Sequence, residues 1–224
     1  MELTSTTAYR PAPVQTYIAR EGYPFVAIAL MATLLLWFTG LPITSTGMGC
    51  VTAFIAFFFR NPERKCPEGE GLVICPADGR VLSVTHGVKA PCTDAPAIKI
   101  SIFMSLFDVH MNRSPIAAKV RSVQYSPGSF FVASLDKASE KNERNAIVLQ
   151  DGQGRALVMV QIAGIIARRI VCYVREGDEL ARAIRCGIIR FGSRVDLYLP
   201  TGSRVDVAKG HRVRAGESIM GRLP

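Results

Sequence analysis

Hydrophobic and polar positions alternate in two unlike ways along this chain. Between Glu21 and Arg60 there are 38 residues without one Asp, Glu, Lys or Arg. Two apolar runs fill that window, residues 25–40 and 50–59, and each is shorter than the ~20 residues a single spanning helix needs. Leu41, Pro42 and the stretch 44–49 (TSTGMG) interrupt them. Two short apolar helices joined by a Pro/Gly/Ser/Thr turn predict a helical hairpin, either dipping into one leaflet or spanning with mismatch. A hairpin returns both flanks to one side. The alternative is a helical pair buried in a soluble core, and the absence of charge over the whole window argues against it. A signal peptide is not indicated, because polar residues precede the window and no small-residue cleavage site closes the first run.

From Gly71 the period changes to two. The stretch 71–84 (GLVICPADGRVLSV) reads as a strand, a Pro-Ala-Asp-Gly turn and a second strand, the signal of a hairpin. Residues 98–103, 119–125, 146–149, 156–162 and 169–174 are further alternating or β-branched runs, with Gly and Pro between them as in sandwiches and barrels. The C-terminal segment reads strand, turn, strand. Only 130–144 suggests a helix or an ordered loop. The predicted architecture is mainly β (α+β): a Gly-rich, β-sandwich or barrel-like catalytic domain over 60–224, an apolar helical hairpin over 22–59, and a polar N-terminal segment over 1–21.

Composition sharpens this division. The 224 residues carry 27 Lys+Arg and 18 Asp+Glu, a formal charge of +9, and a mean hydropathy of +0.22. From Arg60 onward lie 25 of the basic and 16 of the acidic residues, so the positive balance belongs to the β region. That excludes a uniformly hydrophobic transporter and a disordered scaffold. Arg10 and Arg20 precede the apolar window and Arg60, Arg64 and Lys65 follow it, which puts both flanks on the cytoplasmic face of a cell membrane. A basic domain beside a membrane points to anionic lipid. Nucleic acid is the competing anion, but the basic residues are scattered and no nucleic-acid-binding signature occurs. Six cysteines lack CxxC spacing and only three His occur, so no metal site is predicted and all six read as reduced.

Three short stretches could carry chemistry. In 76–81 (PADGRV), Asp78 sits in a turn. In 107–112 (FDVHMN), His110 is one of the three His. In 190–196 (RFGSRVD), Gly192 and Ser193 lie between strands, without the Gly-x-Ser-x-Gly elbow of a hydrolase. Each alone is more often structural than catalytic. His86 and His211 have no motif around them and read as structural or surface residues. The C-terminal glycine spacing also resembles lipoyl-type carrier modules, but Lys209 lacks the Met-Lys-Met setting.

Taken together and in order, these stretches resemble the phosphatidylserine decarboxylases of short bacterial and archaeal type. The resemblance covers nearly the whole chain: FFRNPER after the hairpin, PADGRV, FDVHMNRSP, YSPGSF, NERN at 142–145, GDEL at 177–180, and RFGSRVDLYLP at 190–200. It implies a self-processing enzyme cut between Gly192 and Ser193 into a β chain (1–192) and an α chain (193–224). Ser193 Oγ would attack the Gly192 carbonyl in an N-to-O acyl shift, with His110 as base and Asp78 orienting the imidazole and favouring its charged form, the logic of a triad. Elimination would then leave a covalent pyruvoyl cofactor derived from Ser193, whose ketone takes up the substrate amine and serves as electron sink. No metal is implied. The reaction converts phosphatidylserine to phosphatidylethanolamine and CO2.

Longer family members have an extra His where this chain has Phe107. The proton donor after decarboxylation could therefore be His110 a second time, a water or Asp108. Phe107, Arg144, Arg190 and Arg194 are candidates for contact with the substrate, the arginines for its phosphate. GSRVD recurs at 202–206, and Ser203 there reads as a hairpin turn. A homodimer follows from the resemblance alone. Three rival readings remain: an archaetidylserine-type lipid decarboxylase, an unprocessed membrane-tethered binding domain, and a pyruvoyl decarboxylase of a soluble amino acid, in which the hairpin would have no purpose.

Overall fold

Each half of the chain buries its apolar surface in its own way. The computed structural model describes residues 16–128, 142–164, 169–190 and 193–224. The expected polar segment up to residue 15, most of the expected helix or loop at 130–144, and Gly192 lie outside the described residues. Two compact units result, Pro13–Glu63 and Arg64–Pro224.

The first unit is a helical pair, α1 (Tyr23–Phe38) and α2 (Pro42–Phe58). Gly40 ends the first helix with φ +74°, a left-handed position that suits glycine. The stretch 44–49, which its composition predicts to interrupt the apolar runs, is helical. Pro42 starts the helix at a position where its missing N–H is no loss. The hydroxyls of Thr44, Ser45 and Thr46 donate back to the carbonyls of Leu41 and Pro42. The Thr33 and Thr52 hydroxyls meet at 3.0 Å between the helices, so neither is left unsatisfied in apolar surroundings. At the base, Ile18 bridges Arg60, the Ala19 amide donates to Phe59 O at 2.8 Å, and the Asn61 amide to Tyr17 O at 2.7 Å. Both flanks therefore leave from one end. Large apolar side chains such as Ile28, Leu35, Trp37 and Ile43 are exposed, more than a water-facing surface ordinarily presents. Arg20–Phe38 is long and apolar enough to cross a membrane; Pro42–Phe58 is shorter.

The second unit is strand-rich, with an eight-stranded sheet curled into a half-barrel. Its described strands are β1 (Leu72–Ile74), β2 (Gly79–Lys89), β3 (Pro96–Met104), β4 (Met111–Arg113), β5 (Ala118–Ser126), β6 (Arg144–Gln150), β7 (Ala156–Ala163), β8 (Ile170–Cys172), β9 (Glu179–Leu180), β10 (Arg185–Ile189), β11 (Ser193–Pro200), β12 (Arg204–Val205), β13 (Arg212–Val213) and β14 (Ile219–Arg222). The large sheet has the order β13-β2-β3-β11-β7-β6-β5-β9, and two three-stranded sheets have the orders β1-β14-β12 and β4-β10-β8. Every pairing is antiparallel. One core joins the three sheets: Ile100, Ile102, Met159 and Leu197 of the large sheet, Val73 and Met220 of β1-β14-β12, and Cys172, Cys186 and Ile189 of β4-β10-β8.

One expected pairing differs. The two strands of 71–84 do not form a hairpin. β1 pairs with β14, and β2 pairs with β3 and β13. The segment between them crosses from one sheet to another, held by Cys75 N to Ser218 O at 2.8 Å and by Arg113 N to Pro76 O at 2.9 Å. The turn residues are those of a hairpin, but the partner of each strand comes from far along the chain.

Candidate active site

Ser193 opens β11, the central strand, between Met104 of β3 and Ala163 of β7. Period-2 alternation points Ser193, Val195, Leu197 and Leu199 into the common core, and Arg194, Asp196 and Tyr198 to the other face. Ser193 is fully buried, and its hydroxyl donates to Met104 Sδ at 3.2 Å. A thioether is a weak acceptor, so this hydroxyl is dry and loosely held.

His110 is placed beside the end of β10 by register. Gly187 and Ile188 of β10 pair with Asn112 and Met111, and the Ile189 amide donates to His110 O at 3.4 Å. The His110 segment thus lies along the residues that lead into Ser193. Its ring is buried, with Nδ1 3.0 Å from Asp108 O. A carbonyl only accepts, so Nδ1 carries the hydrogen and Nε2 is the basic nitrogen of the neutral ring. The loop before it is tied by Asp108, whose Oδ2 accepts from Ser105 N at 2.8 Å and Ser105 Oγ at 2.7 Å.

Asp78 comes from the turn that crosses between sheets. Its Oδ1 accepts from Ala215 N at 2.7 Å and its Oδ2 from Arg64 Nη2 at 2.8 Å. Arg64 also reaches Glu217 at 3.2 Å. The side chains of Arg64 and Asp78 are about nine-tenths buried, and such a pair holds only while both partners stay. Gly79 follows because β2 starts hard against β3. Its φ is +153°, and a Cβ there would fall inside the Phe103 carbonyl oxygen. In the same turn, burial pushes the Cys75 thiol up to about 12. All six cysteines are free.

Sequence reasoning missed a buried line of amides. Asn145 Nδ2 donates to Gln161 Oε1 at 3.0 Å, and Gln161 Nε2 donates to Asn112 Oδ1 at 2.8 Å. Asn112 Nδ2 then lies 3.8 Å from Met104 Sδ, the atom that Ser193 contacts. All three amides are fully buried. Gly187 leaves the room: a Cβ there would sit 2.6 Å from Val171 O and 2.7 Å from Gln161 Nε2. Polar residues at inward positions of otherwise apolar strands were the available signal.

Two of the candidate arginines, Arg194 and Arg144, lie on the face of the large sheet opposite Ser193. Arg194 is 1% exposed and lies on the face opposite Ser193, with Nε 2.6 Å from Asp196 Oδ1 and Nη2 2.8 Å from Ser101 Oγ. Arg144 starts strand β6, where the sequence suggests the end of a helix or loop. It lines a cavity of about 540 Å³ on that opposite face, with Lys89, Lys99 and Tyr198. Arg190 follows β10, its amide bonded to Arg169 O at 3.2 Å. Phe107 is 66% exposed beside Asp108. Ser203 lies in the turn before β12, ten residues after Ser193, and Arg204 and Asp206 beside it form a surface pair.

Fold and site together define a strand-rich enzyme domain with one buried serine opening a central strand, a line of buried amides reaching the thioether that it contacts, and a buried His beside the end of β10, joined to an apolar helical hairpin. The chain belongs to the phosphatidylserine decarboxylase family, which matches it over residues 51–221. It is 49% identical to a phosphatidylserine decarboxylase proenzyme of Burkholderia mallei over 96% of this chain and 97% of that one. It is 47% identical to the proenzyme of Burkholderia cenocepacia (95% and 98%) and 46% identical to that of Syntrophus aciditrophicus (92% and 97%).

Proposed function

We propose that this chain decarboxylates phosphatidylserine to phosphatidylethanolamine and CO2, after cutting itself between Gly192 and Ser193. The observation that carries the reading is the meeting of Ser193 and the His110–Asn112 segment in a dry site, both Ser193 Oγ and Asn112 Nδ2 being aimed at Met104 Sδ.

His110 Nε2 takes the hydroxyl proton as Ser193 Oγ attacks the Gly192 carbonyl carbon. The imidazolium returns that proton to the Ser193 nitrogen, which leaves as an amine as the ester forms. Asp78, braced by Arg64 and the Ala215 amide, is the carboxylate that balances the imidazolium. Elimination from the ester frees the carboxyl end of 1–192, and hydrolysis releases ammonia from the new end of 193–224. The residues present suit a pyruvoyl group at position 193: the position is buried, faces a thioether rather than a charge, and needs no more room than serine. That group supplies a ketone as electron sink. Around it, Met104 and the core exclude water and Asn112 offers an N–H. His110 is left to carry the proton of the second reaction, because the Asp108 carboxylate is occupied by Ser105. The helical pair holds the enzyme at the cytoplasmic face of the cell membrane, where the substrate is.

Denaturing gels test the cut. Ser193→Ala remains one chain and loses activity, while Ser203→Ala is still processed into 1–192 and 193–224. An active preparation that runs as a single full-length band refutes the proposal. Assays on phosphatidylserine, archaetidylserine and free serine separate the two lipid readings from the soluble one.

A further inference from the structure

The β13–β2 edge of the large sheet has a charge pattern that the fold itself does not need. Arg212 of β13 lies directly opposite Arg80 of β2, and both are exposed. Like charges placed opposite each other on paired strands destabilise the pair. Arg214, two residues on, is exposed too, and Lys209 stands exposed in the preceding turn. Two of the four cations have described acidic partners, in long surface ion pairs: Asp108 lies 3.6 Å from Arg212, and Glu217 lies 3.7 Å from Arg214. Those two arginine side chains remain 77% and 71% exposed.

An apolar group stands at the edge of this patch. Asp108, which Arg212 touches, is preceded by the exposed ring of Phe107 and followed two residues later by His110. Asp78 lies two residues before Arg80. The patch therefore borders the site. Cations around one exposed aromatic match a surface with a negative plane above an apolar interior: the ring enters the acyl boundary and the guanidinium groups stay at the phosphates.

We infer that Arg80, Lys209, Arg212 and Arg214, with Phe107 at their edge, form a docking face of the catalytic domain for an anionic phospholipid bilayer, separate from the hold provided by the helices. The inference rests on the lipid reading of the site above. The unfavourable Arg80–Arg212 opposition is relieved when the face meets anionic head groups, and docking brings the His110 loop to the plane in which a lipid substrate's head group lies.

The test uses the full-length enzyme in nanodiscs, with Trp37→Phe and Phe107→Trp so that the chain's single indole stands at position 107. In discs containing phosphatidylglycerol, brominated acyl chains quench the fluorescence of this indole. In discs of phosphatidylcholine alone, or in 1 M salt, the quenching is lost. Each cation near an anionic surface is worth about fivefold in the equilibrium. The triple variant Arg80→Gln/Lys209→Gln/Arg214→Gln then shifts docking by about a hundredfold, which takes a population nine-tenths docked to below one-tenth. An indole that stays unquenched in anionic discs overturns the inference. So does quenching that is the same in phosphatidylcholine, in high salt and in the triple variant. Self-cleavage on gels and turnover of a dispersed short-chain phosphatidylserine are followed in parallel on the parent chain, with Phe107 and Trp37 in place. If both fail while the indole is still quenched, the catalytic reading falls and the docking face stands; if both persist while the indole is never quenched, the reverse holds.

Discussion

Gln161→Leu removes one buried amide at nearly constant volume. In the folded chain that amide accepts from Asn145 and donates to Asn112, at 3.0 and 2.8 Å. Leucine does neither, so Asn145 Nδ2 and Asn112 Oδ1 are left in a fully buried site. Each stranded group costs about 1–3 kcal/mol, which together makes roughly 2–6 kcal/mol. That is a large fraction of the ~5–15 kcal/mol by which a domain is stable. For a domain of this size 1 kcal/mol moves the melting temperature by about 2–4 °C, so the expected drop is roughly 4–24 °C. The assay is thermal unfolding of the full chain in detergent, followed by near-UV circular dichroism. Gln150→Leu is the control, because Gln150 bonds Gly154 O at the surface, and surface changes stay within about 0.5 kcal/mol. Self-cleavage is read on the same samples: Asn112 stands two residues from His110, so loosening it slows the appearance of the 193–224 fragment. If Gln161→Leu melts within about 2 °C of the parent, the amide line does not carry the stability assigned to it and the reasoning fails.

Two further outcomes follow from the turn that carries Asp78. Gly79→Ala forces a Cβ into the Phe103 carbonyl at a left-handed backbone position, so the chain should accumulate as unprocessed or insoluble material, visible as loss of the 193–224 fragment; normal processing and melting would contradict that. Cys75 keeps its proton to about pH 12 when folded, against an ordinary value of 9.0. The unfolded thiol ionises first, so stability is unaffected below about pH 9 and falls above it, by up to about 1.4 kcal/mol per pH unit. Denaturant titrations at pH 8, 9 and 10, compared with Cys75→Ala, check the slope, and an identical slope in the variant would count against it.

Much of the architecture was legible. Period-2 runs marked β3, β5, β6 and β7 within a residue or two, because each has one face in the common core and alternates accordingly. The uncharged window marked the helical pair. What misled was local chemistry with a distant partner. Pro76 to Gly79 looks like a hairpin turn, yet its flanking strands pair with β14, β3 and β13. The stretch 44–49 looks like a turn, yet its hydroxyls satisfy helical carbonyls and the segment winds on. The site followed the same rule. Motifs supplied Ser193, His110 and Asp78 as candidates, whereas Gln161 and Asn145 have no motif and could be found only as polar residues at inward strand positions.

The repeated GSRVD shows where the division lies. By itself the sequence determined only that both copies carry Arg and Asp two residues apart, a spacing that extended backbone puts on one face. In both, the Arg Nε meets the Asp Oδ1, at 2.6 Å for Arg194 and Asp196 and at 2.7 Å for Arg204 and Asp206. Only the tertiary structure decided that the first copy lies in the central strand, its ion pair sealed from water and its serine buried against Met104, while the second lies at a surface edge with Arg204 76% exposed. The physical reason is that burial depends on which strands flank a segment, and β3 and β7, which flank Ser193, come from about ninety and thirty residues away along the chain.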